Sequence, residues 1–269
     1  VNNLAAIYRK MGNYPLAEKY NLEALQLREK NLGTKHPYYA ISLSSISVLY
    51  NEIKNFDKAE KYFLEANSNY LNQITSYFPS MSEKEKLTYI KGIDESFEQF
   101  YSFAVNRYNK NNSITAEICN LRLATKGMIL SSSIQIRNRI LNSNDAQLVE
   151  LYEKLIKLQN DISHIYTLSI EEQKKKELNL SELESSANNI EKELGSKSEI
   201  FKSEIEQRRI TFDDVKESLS HDEAAVEFFN FRFYDKVFTD SVYYYALIIR
   251  KNFKFPVLVK LCNEIELQK

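Results

Sequence analysis

The sequence predicts a mostly α-helical protein of helical hairpins and long connector helices, followed by a partial α/β region of about three strands. Three observations support this prediction. A segment near the amino terminus recurs 42 positions later. Glycine and proline are scarce, at 5 and 4 of 269 residues, which favours long helices over turn-rich folds. After residue 210 the helical period gives way to runs rich in valine, isoleucine, tyrosine and phenylalanine, which are typical of strands.

The recurring segment covers residues 8–24, which read YRKMGNYPLAEKYNLEA, and residues 50–66, which read YNEIKNFDKAEKYFLEA. Nine positions are identical between the two copies. Tyr14 and Met11 are replaced by side chains of similar size and apolarity, Phe56 and Ile53. So many matches at one fixed offset indicate an array of structural repeats.

Within each repeat the apolar spacing is helical. Residues three and four apart lie on one helix face, and two such stripes occur: Leu4, Ile7, Tyr8 and Met11, then Leu16, Tyr20, Ala24 and Leu27. The MGNY stretch between them predicts a short turn. Gly33 is expected to end the second helix and Pro37 to begin the next. One repeat is therefore predicted to be helix, turn, helix and linker.

This pattern resembles the tetratricopeptide repeat (TPR), in its 42-residue variety. Six residues match the characteristic positions of that repeat: Tyr8, Gly12, Tyr14, Ala17, Tyr20 and Ala24. The second copy departs from the pattern where Lys54 replaces the glycine, which a helix carboxyl terminus tolerates. The resemblance covers roughly residues 1–75, which we take as the first domain.

The TPR resemblance implies a superhelix whose concave side binds an extended peptide or a partner helix. The predicted partner-binding residues on that side are Asn2, Asn3, Arg9, Ser44, Val48 and Asn51, with Ala6, Lys10, Ser45 and Glu52 at neighbouring concave positions. Asparagine can pair with peptide backbone, and Arg9 could hold a carboxylate through two hydrogen bonds. The alternative is that these residues only solvate the groove or pack on a preceding repeat.

Two repeats are fewer than the three that such arrays usually need for stability. Either further repeats precede Val1, or the helices that follow cap the stack.

Residues 76–209 are predicted to be a helical connector. Ser82 marks one helix start, and further helices are expected in SITAEICNLRL and DAQLVELYEKL. The charged stretch from Glu171 to Glu206 predicts a long exposed helix, which could form one arm of a hairpin. Its EEQKKKE run is interpreted as a solvated helix face rather than a nucleic-acid site.

Residues 210–269 are predicted to hold a short helix over Thr211–Leu219, capped by Thr211, and three strands in AAVEFFNFRF, SVYYYALIIR and PVLVKLC. The strands are apolar on both faces, and about sixty residues are too few to cover both. The chain is therefore expected to stop inside this domain. With the TPR array, the connector and the motif ITFDDVKESLSHDEAAVEFFNFR, it resembles a CHAT protein, which implies the start of a caspase-like peptidase domain and a bacterial source.

The catalytic chemistry of such a peptidase is not predicted within this chain. The family uses a histidine followed by glycine and a cysteine within a run of small residues, and neither pattern occurs. His221 and Cys262 stand in the wrong context, so we expect no catalytic residues here. Cys119 is interpreted as a small apolar residue on a helix face. Asp213 and Asp214 are interpreted as helix-capping residues rather than metal ligands.

The composition adds several expectations about partners. The net charge of −1 gives no bulk basic field for nucleic acid or an anionic membrane, and no apolar run is long enough to span a bilayer. Two cysteines fit a reducing, cytoplasmic compartment. Neither clustered glycines nor a set of metal ligands is present, so no cofactor or metal is expected. Two functions follow: the regulatory region of a CHAT-type peptidase, partnered by the rest of that domain beyond Lys269, or a non-catalytic scaffold that assembles proteins.

Overall fold

The computed structural model describes residues 1–78, 81–143, 145–166, 168, 179–199 and 210–267. The chain divides into two compact units. The first comprises Val1–Gln73, Gly92–Lys126 and Arg209–Lys269, and the second comprises Ile74–Lys91 and Gly127–Arg208. The EEQKKKE run lies outside the described residues.

The helices and strands follow the predicted order. The helices are α1 Asn2–Lys10, α2 Tyr14–Leu32, α3 Pro37–Glu52, α4 Phe56–Tyr77, α5 Glu83–Arg107, α6 Ile114–Asn142, α7 Ala146–Tyr166, α8 Leu180–Glu199, α9 Phe212–Ser218 and α10 Glu264–Leu267. The strands are β1 Ala225–Asp235, β2 Val237–Ile249 and β3 Val257–Asn263. The predicted fold class, mostly α with a small three-stranded sheet, is confirmed. No helix within the described ranges is long and apolar enough to cross a membrane.

The two repeats have the same internal geometry, as their sequence identity predicts. Tyr8 stacks on Tyr20 with ring centroids 5.5 Å apart, and 42 positions later Tyr50 stacks on Tyr62 at 5.6 Å. The side chain of Asn13 caps α2 by accepting from the Leu16 N–H, and that of Asn55 does the same for α4. Identical residues thus make identical contacts.

The second repeat also supplies contacts that join it to the first. Tyr50 on α3 donates a 2.6 Å hydrogen bond to Glu18 on α2. The repeat equivalent of Glu18 is Glu60, which accepts from Arg107 on α5 at 3.1 Å and from Asn111 at 2.6 Å. The helix after the second repeat therefore contacts α4 as α3 contacts α2.

Aromatic packing confirms that α5 covers the second repeat. The ring of Phe63 lies 5.9 Å from Phe100 and 5.0 Å from Phe103, and Tyr70 meets Phe97 edge-on at 5.8 Å. These rings are almost fully buried. Of the two ways to stabilise a short array, capping by the connector helices is the one seen in the described residues.

The sheet is an antiparallel meander in the order β1-β2-β3. The polar stretch that was expected to separate the first two strands is itself strand: β2 begins at Val237, not at Ser241. The reversal is instead made at Lys236, whose φ is +62°. The sequence did not predict this turn because lysine is not a residue that favours a left-handed conformation.

One face of the sheet packs on helices of the first unit. Tyr101 of α5 lies between Phe229 and Phe231, with ring centroids 5.5 and 5.8 Å away. Glu227 is held by Arg122 at 3.3 Å and by Lys126. The predicted cap of α9 is confirmed, because Thr211 and Asp214 form reciprocal hydrogen bonds at its start.

In the second unit α7 packs against α8. Its core contains Leu148 and Leu155 of α7 together with Ile190 and Leu194 of α8. Because Ile190 and Leu194 are buried, the expectation that this helix is exposed is wrong for that face. The start of α5 is the one predicted: Ser82 accepts from the Glu85 N–H while Glu85 accepts from the Ser82 N–H.

The repeat turns generate a stability prediction. Gly12 has φ +73°, and its equivalent Lys54 is held at φ +62°, where a Cβ atom is strained. We expect Lys54→Gly to raise the free energy of unfolding by about 1 kcal/mol, measured by urea denaturation. Lys54→Ala is the matched control and should change little, because alanine keeps the Cβ. A lower unfolding midpoint for Lys54→Gly than for Lys54→Ala would contradict the prediction.

Candidate partner-binding groove

A pocket of about 160 Å³ lies in the first unit where α1, α3 and α5 face one another. Both helices of the first repeat, α3 of the second repeat and the capping helix contribute to it, because Asn21 of α2 also lines the pocket. The lining residues are Asn2, Ala6, Arg9, Asn21, Ile41, Ser44, Ser45, Val48, Ser96 and Gln99. Except for Arg9 they are uncharged, and six of the ten carry a hydroxyl or a carboxamide.

 The lining is thus polar but almost neutral, with Arg9 as its one charged member.

Four of the six predicted partner-binding residues line this pocket. Asn2, Arg9, Ser44 and Val48 line the pocket, as do the neighbouring concave positions Ala6 and Ser45. Asn3 and Asn51 belong to α1 and α3 but are not among the lining residues. Asn3 is exposed and Asn51 is half-buried. The assignment of these six residues to partner binding stays a prediction.

Ser96 and Gln99 of α5 were not predicted to line the groove. The sequence of α5 has lost the repeat pattern, so no repeat position marks these residues. The available signal was the apolar face of α5, with Phe97, Phe100 and Phe103 at helical spacing. Packing that face on α4 turns Ser96 and Gln99 toward the pocket.

Arg9 is held by two partners of its own chain. Its guanidinium pairs with the carboxylate of Glu52 on α3 and donates a 3.0 Å hydrogen bond to the hydroxyl of Tyr234 at the end of β1. The side chain of Glu52 is only 6% exposed, and that of Arg9 is 20% exposed. The cation that was expected to meet a partner's carboxylate therefore already has an internal one.

Burial governs the electrostatics of this pair. Desolvation raises the pKa of the Glu52 carboxyl, and the nearby Arg9 guanidinium partly offsets that effect. The pKa of Tyr234 is also raised by burial, so its hydroxyl stays protonated. Removing the arginine would leave a buried carboxylate without its main counter-charge, which is a costly arrangement.

A chain of hydroxyls crosses the floor of the groove. The hydroxyl of Tyr70 on α4 lies 3.4 Å from Ser44 Oγ and 3.3 Å from Ser96 Oγ. Ser45 Oγ donates instead to the carbonyl of Ile41, at 2.9 Å. These contacts fix the positions of the serines on α3 and α5.

Cys119, Cys262 and His221 lie in the elements in which the sequence predicted them. Cys119 is fully buried on α6, and burial raises the pKa of its thiol to about 12, so the reactive thiolate is disfavoured. Cys262 is half-buried near the end of β3, and His221 lies exposed in the turn before β1. Asp214 caps α9, as expected. Among the described residues no group of three or more potential ligands could hold a metal ion.

The Arg9 cluster generates a prediction with a pH dependence. We expect Arg9→Met to lower the free energy of unfolding by about 3 kcal/mol at neutral pH, measured by urea denaturation. The loss should shrink as the pH falls, because a raised folded-state pKa favours the folded protein when Glu52 is protonated and this benefit disappears as the pH rises through that pKa.

The control is the double variant Arg9→Met/Glu52→Leu. It removes both charges, so it should be more stable than Arg9→Met alone at neutral pH. Strictly additive losses at every pH would show that the two side chains do not interact.

Comparison with known proteins agrees with the geometry of the repeats. The family model described as tetratricopeptide repeat matches residues 1–71. No curated protein and no solved structure matches the chain significantly. The matched residues include α1, α2, α3 and most of α4, which carry the stacked tyrosines and most of the pocket. Residues 1–71 of this chain are therefore a pair of tetratricopeptide repeats, a module with a role in protein interaction.

Proposed function

We propose that the chain binds an extended segment of a partner protein in the groove between α1, α3 and α5. The observation that supports this function best is the pocket itself, which is lined by helices of both repeats and by α5. Its lining offers hydroxyl and carboxamide groups rather than a continuous apolar surface. Such groups suit the backbone of an extended peptide, which presents N–H and C=O groups in alternation.

A groove-blocking variant tests this function. Random dodecapeptides displayed on phage would be selected against the whole chain, and the selected peptides synthesised. Ala6 is exposed and lines the pocket, so Ala6→Trp should fill the groove without disturbing the core. We expect it to weaken peptide binding roughly tenfold or more, a loss of about 1.4 kcal/mol, measured by calorimetry.

The matched control lies at the carboxyl end of the same helix. Met11 follows α1, is 70% exposed and does not line the pocket. Met11→Trp should leave the affinity unchanged. If no selected peptide distinguishes Ala6→Trp from Met11→Trp, the groove is not the binding site and the proposal fails.

The finer part of the proposal is that this binding region regulates a CHAT-type, caspase-like peptidase. The sheet supports it. Val226 and Phe228 of β1 are 47% and 61% exposed on the face turned away from α5 and α6. Their cross-strand neighbours Ile248 and Ala246 are apolar too. An antiparallel sheet that is apolar on both faces requires cover on both, and the rest of a larger α/β domain would provide it.

The same proposal assigns no catalytic role to residues 1–269. The chain should therefore cleave no labelled casein under reducing conditions, and Cys262→Ala should behave like the unmodified chain. Cleavage that is lost in Cys262→Ala would contradict this assignment. The reading frame beyond Lys269 tests the peptidase itself: a histidine followed by glycine and a later cysteine among small residues would support it.

The second candidate function is a non-catalytic scaffold that assembles protein partners. The match of residues 1–71 to the tetratricopeptide repeat favours it, because binding of protein partners by such repeats needs no peptidase domain. Both functions use the same groove. A continuation without the histidine and cysteine pair would leave the scaffold function.

A further inference from the structure

The second unit contains a pocket of about 110 Å³ between the start of α5, α7 and α8. Apolar side chains and one aromatic ring form much of its wall: Met81, Leu155, Ile156, Leu194 and Tyr152. At about 30 Å³ per water molecule in the liquid, the space holds on the order of four water-sized groups. It therefore suits a small molecule rather than a peptide.

Lys86 brings an amine into this pocket. It is 4% exposed, and it is the only lysine among the described residues that is buried. Lysine is rarely buried without a charged partner, and Glu83 and Glu191 line the same pocket. Lys86 also belongs to the first turn of α5, where the helix dipole disfavours a positive charge. Both the burial and the dipole therefore favour the uncharged amine.

Burial acts on the lysine and on one of the acids in the same sense. It lowers the pKa of the Lys86 ammonium, and the charges of Glu83 and Glu191 oppose that effect. It raises the pKa of the Glu191 carboxyl, whose oxygens accept from Gln159 Nε2 at 3.1 Å and from the Glu83 N–H at 2.9 Å. The pocket thus combines a neutral amine, which is a nucleophile, with a carboxyl group that can donate a proton.

We propose that this pocket binds a small, uncharged aliphatic aldehyde and that Lys86 forms a Schiff base with it. The Nζ lone pair attacks the carbonyl carbon to form a C–N bond, and a proton of the nitrogen moves to the former carbonyl oxygen. Glu191 then donates a proton to this hydroxyl group, which leaves as water while the nitrogen lone pair forms the C=N bond. The nitrogen returns a proton to Glu191. Amine and aldehyde thus give imine and water, without oxidation or reduction.

The wall of the pocket determines which aldehydes fit. Leu155 and Leu194 are almost fully buried, so they offer an apolar surface to an alkyl chain. An aldehyde that carries a carboxylate fits less well, because Glu83 and Glu191 bring two carboxyl groups against the single amine of Lys86. The pocket therefore favours butanal over glyoxylate.

Timed trapping on the whole chain tests the inference. Butanal is added at neutral pH, and the reaction is stopped at successive times with sodium borohydride, which reduces an imine to a stable secondary amine. Mass spectrometry of the peptides then gives the labelling rate at each lysine. Lys84 is the matched control, because it lies on the same helix, is 66% exposed and pairs with Glu184 at 3.1 Å. We expect butanal to label Lys86 about tenfold faster than Lys84, and glyoxylate to show no such preference.

Two variants test the pocket and the acid. Ile156 lines the pocket and is 39% exposed, so Ile156→Trp should fill the pocket and lower the labelling rate of Lys86 to that of Lys84 or below. Glu191→Gln should slow labelling about tenfold or more, because the proton donor is lost. If Glu191 only balanced the charge of Lys86, the same variant would leave more of the amine unprotonated and would speed labelling.

Three results would overturn the inference. The first is a butanal labelling rate at Lys86 that does not exceed the rate at Lys84. The second is an Ile156→Trp chain in which Lys86 reacts as fast as before. The third is a Glu191→Gln chain in which Lys86 reacts as fast as, or faster than, in the unmodified chain.

Discussion

The edge of β1 is the constraint on which the first unit depends. Arg232 N–H donates to Glu98 at 3.0 Å, and Tyr234 N–H donates to Ser102 at 2.9 Å. Residues two apart in a strand are separated by about 6.6 Å, and residues four apart in a helix rise about 6 Å. One face of α5 therefore matches the spacing of the strand's outward N–H groups. The Tyr234 N–H is buried in the folded chain, so it needs the Ser102 hydroxyl as its partner, and the sheet is satisfied at this edge only when it packs on α5.

The same helix also completes the groove. Its aromatic face, including Phe100, covers α4; Glu98 and Ser102 hold the strand; and Ser96 and Gln99 line the pocket. A helix used on so many sides tolerates few substitutions. This explains why α5 does not have the repeat sequence: its residues must pack on the sheet as well as on the neighbouring repeat. A helix can therefore take the place of a repeat helix without resembling one.

The local sequence predicted the helices and concave positions that the two repeats share. It did not predict the contacts between elements that are far apart in the chain. The repeat offset gave the helix pairs and placed Asn2 and Ser44 on the concave side, because equivalent positions face the same way. The repeat pattern did not predict an internal partner for Arg9. Tyr234 is 225 positions away, and no local sequence pattern joins the two residues. The strands were visible in their composition. The turn at Lys236 was not, because its left-handed backbone is imposed by the pairing of β1 with β2.

The separation between Arg9 and Tyr234 also sets an order of events during synthesis. Arg9 and Glu52 are 43 positions apart, so their pair can form early, whereas Tyr234 leaves the ribosome much later. At about 5–20 residues per second, the interval between Arg9 and Tyr234 is roughly 10 to 45 s. For that time the repeats and α5 exist without the sheet, and Glu98 and Ser102 face solvent. Until β1 has been synthesised, the nascent chain therefore exposes the hydrogen-bonding groups of α5 that bind this strand in the folded protein.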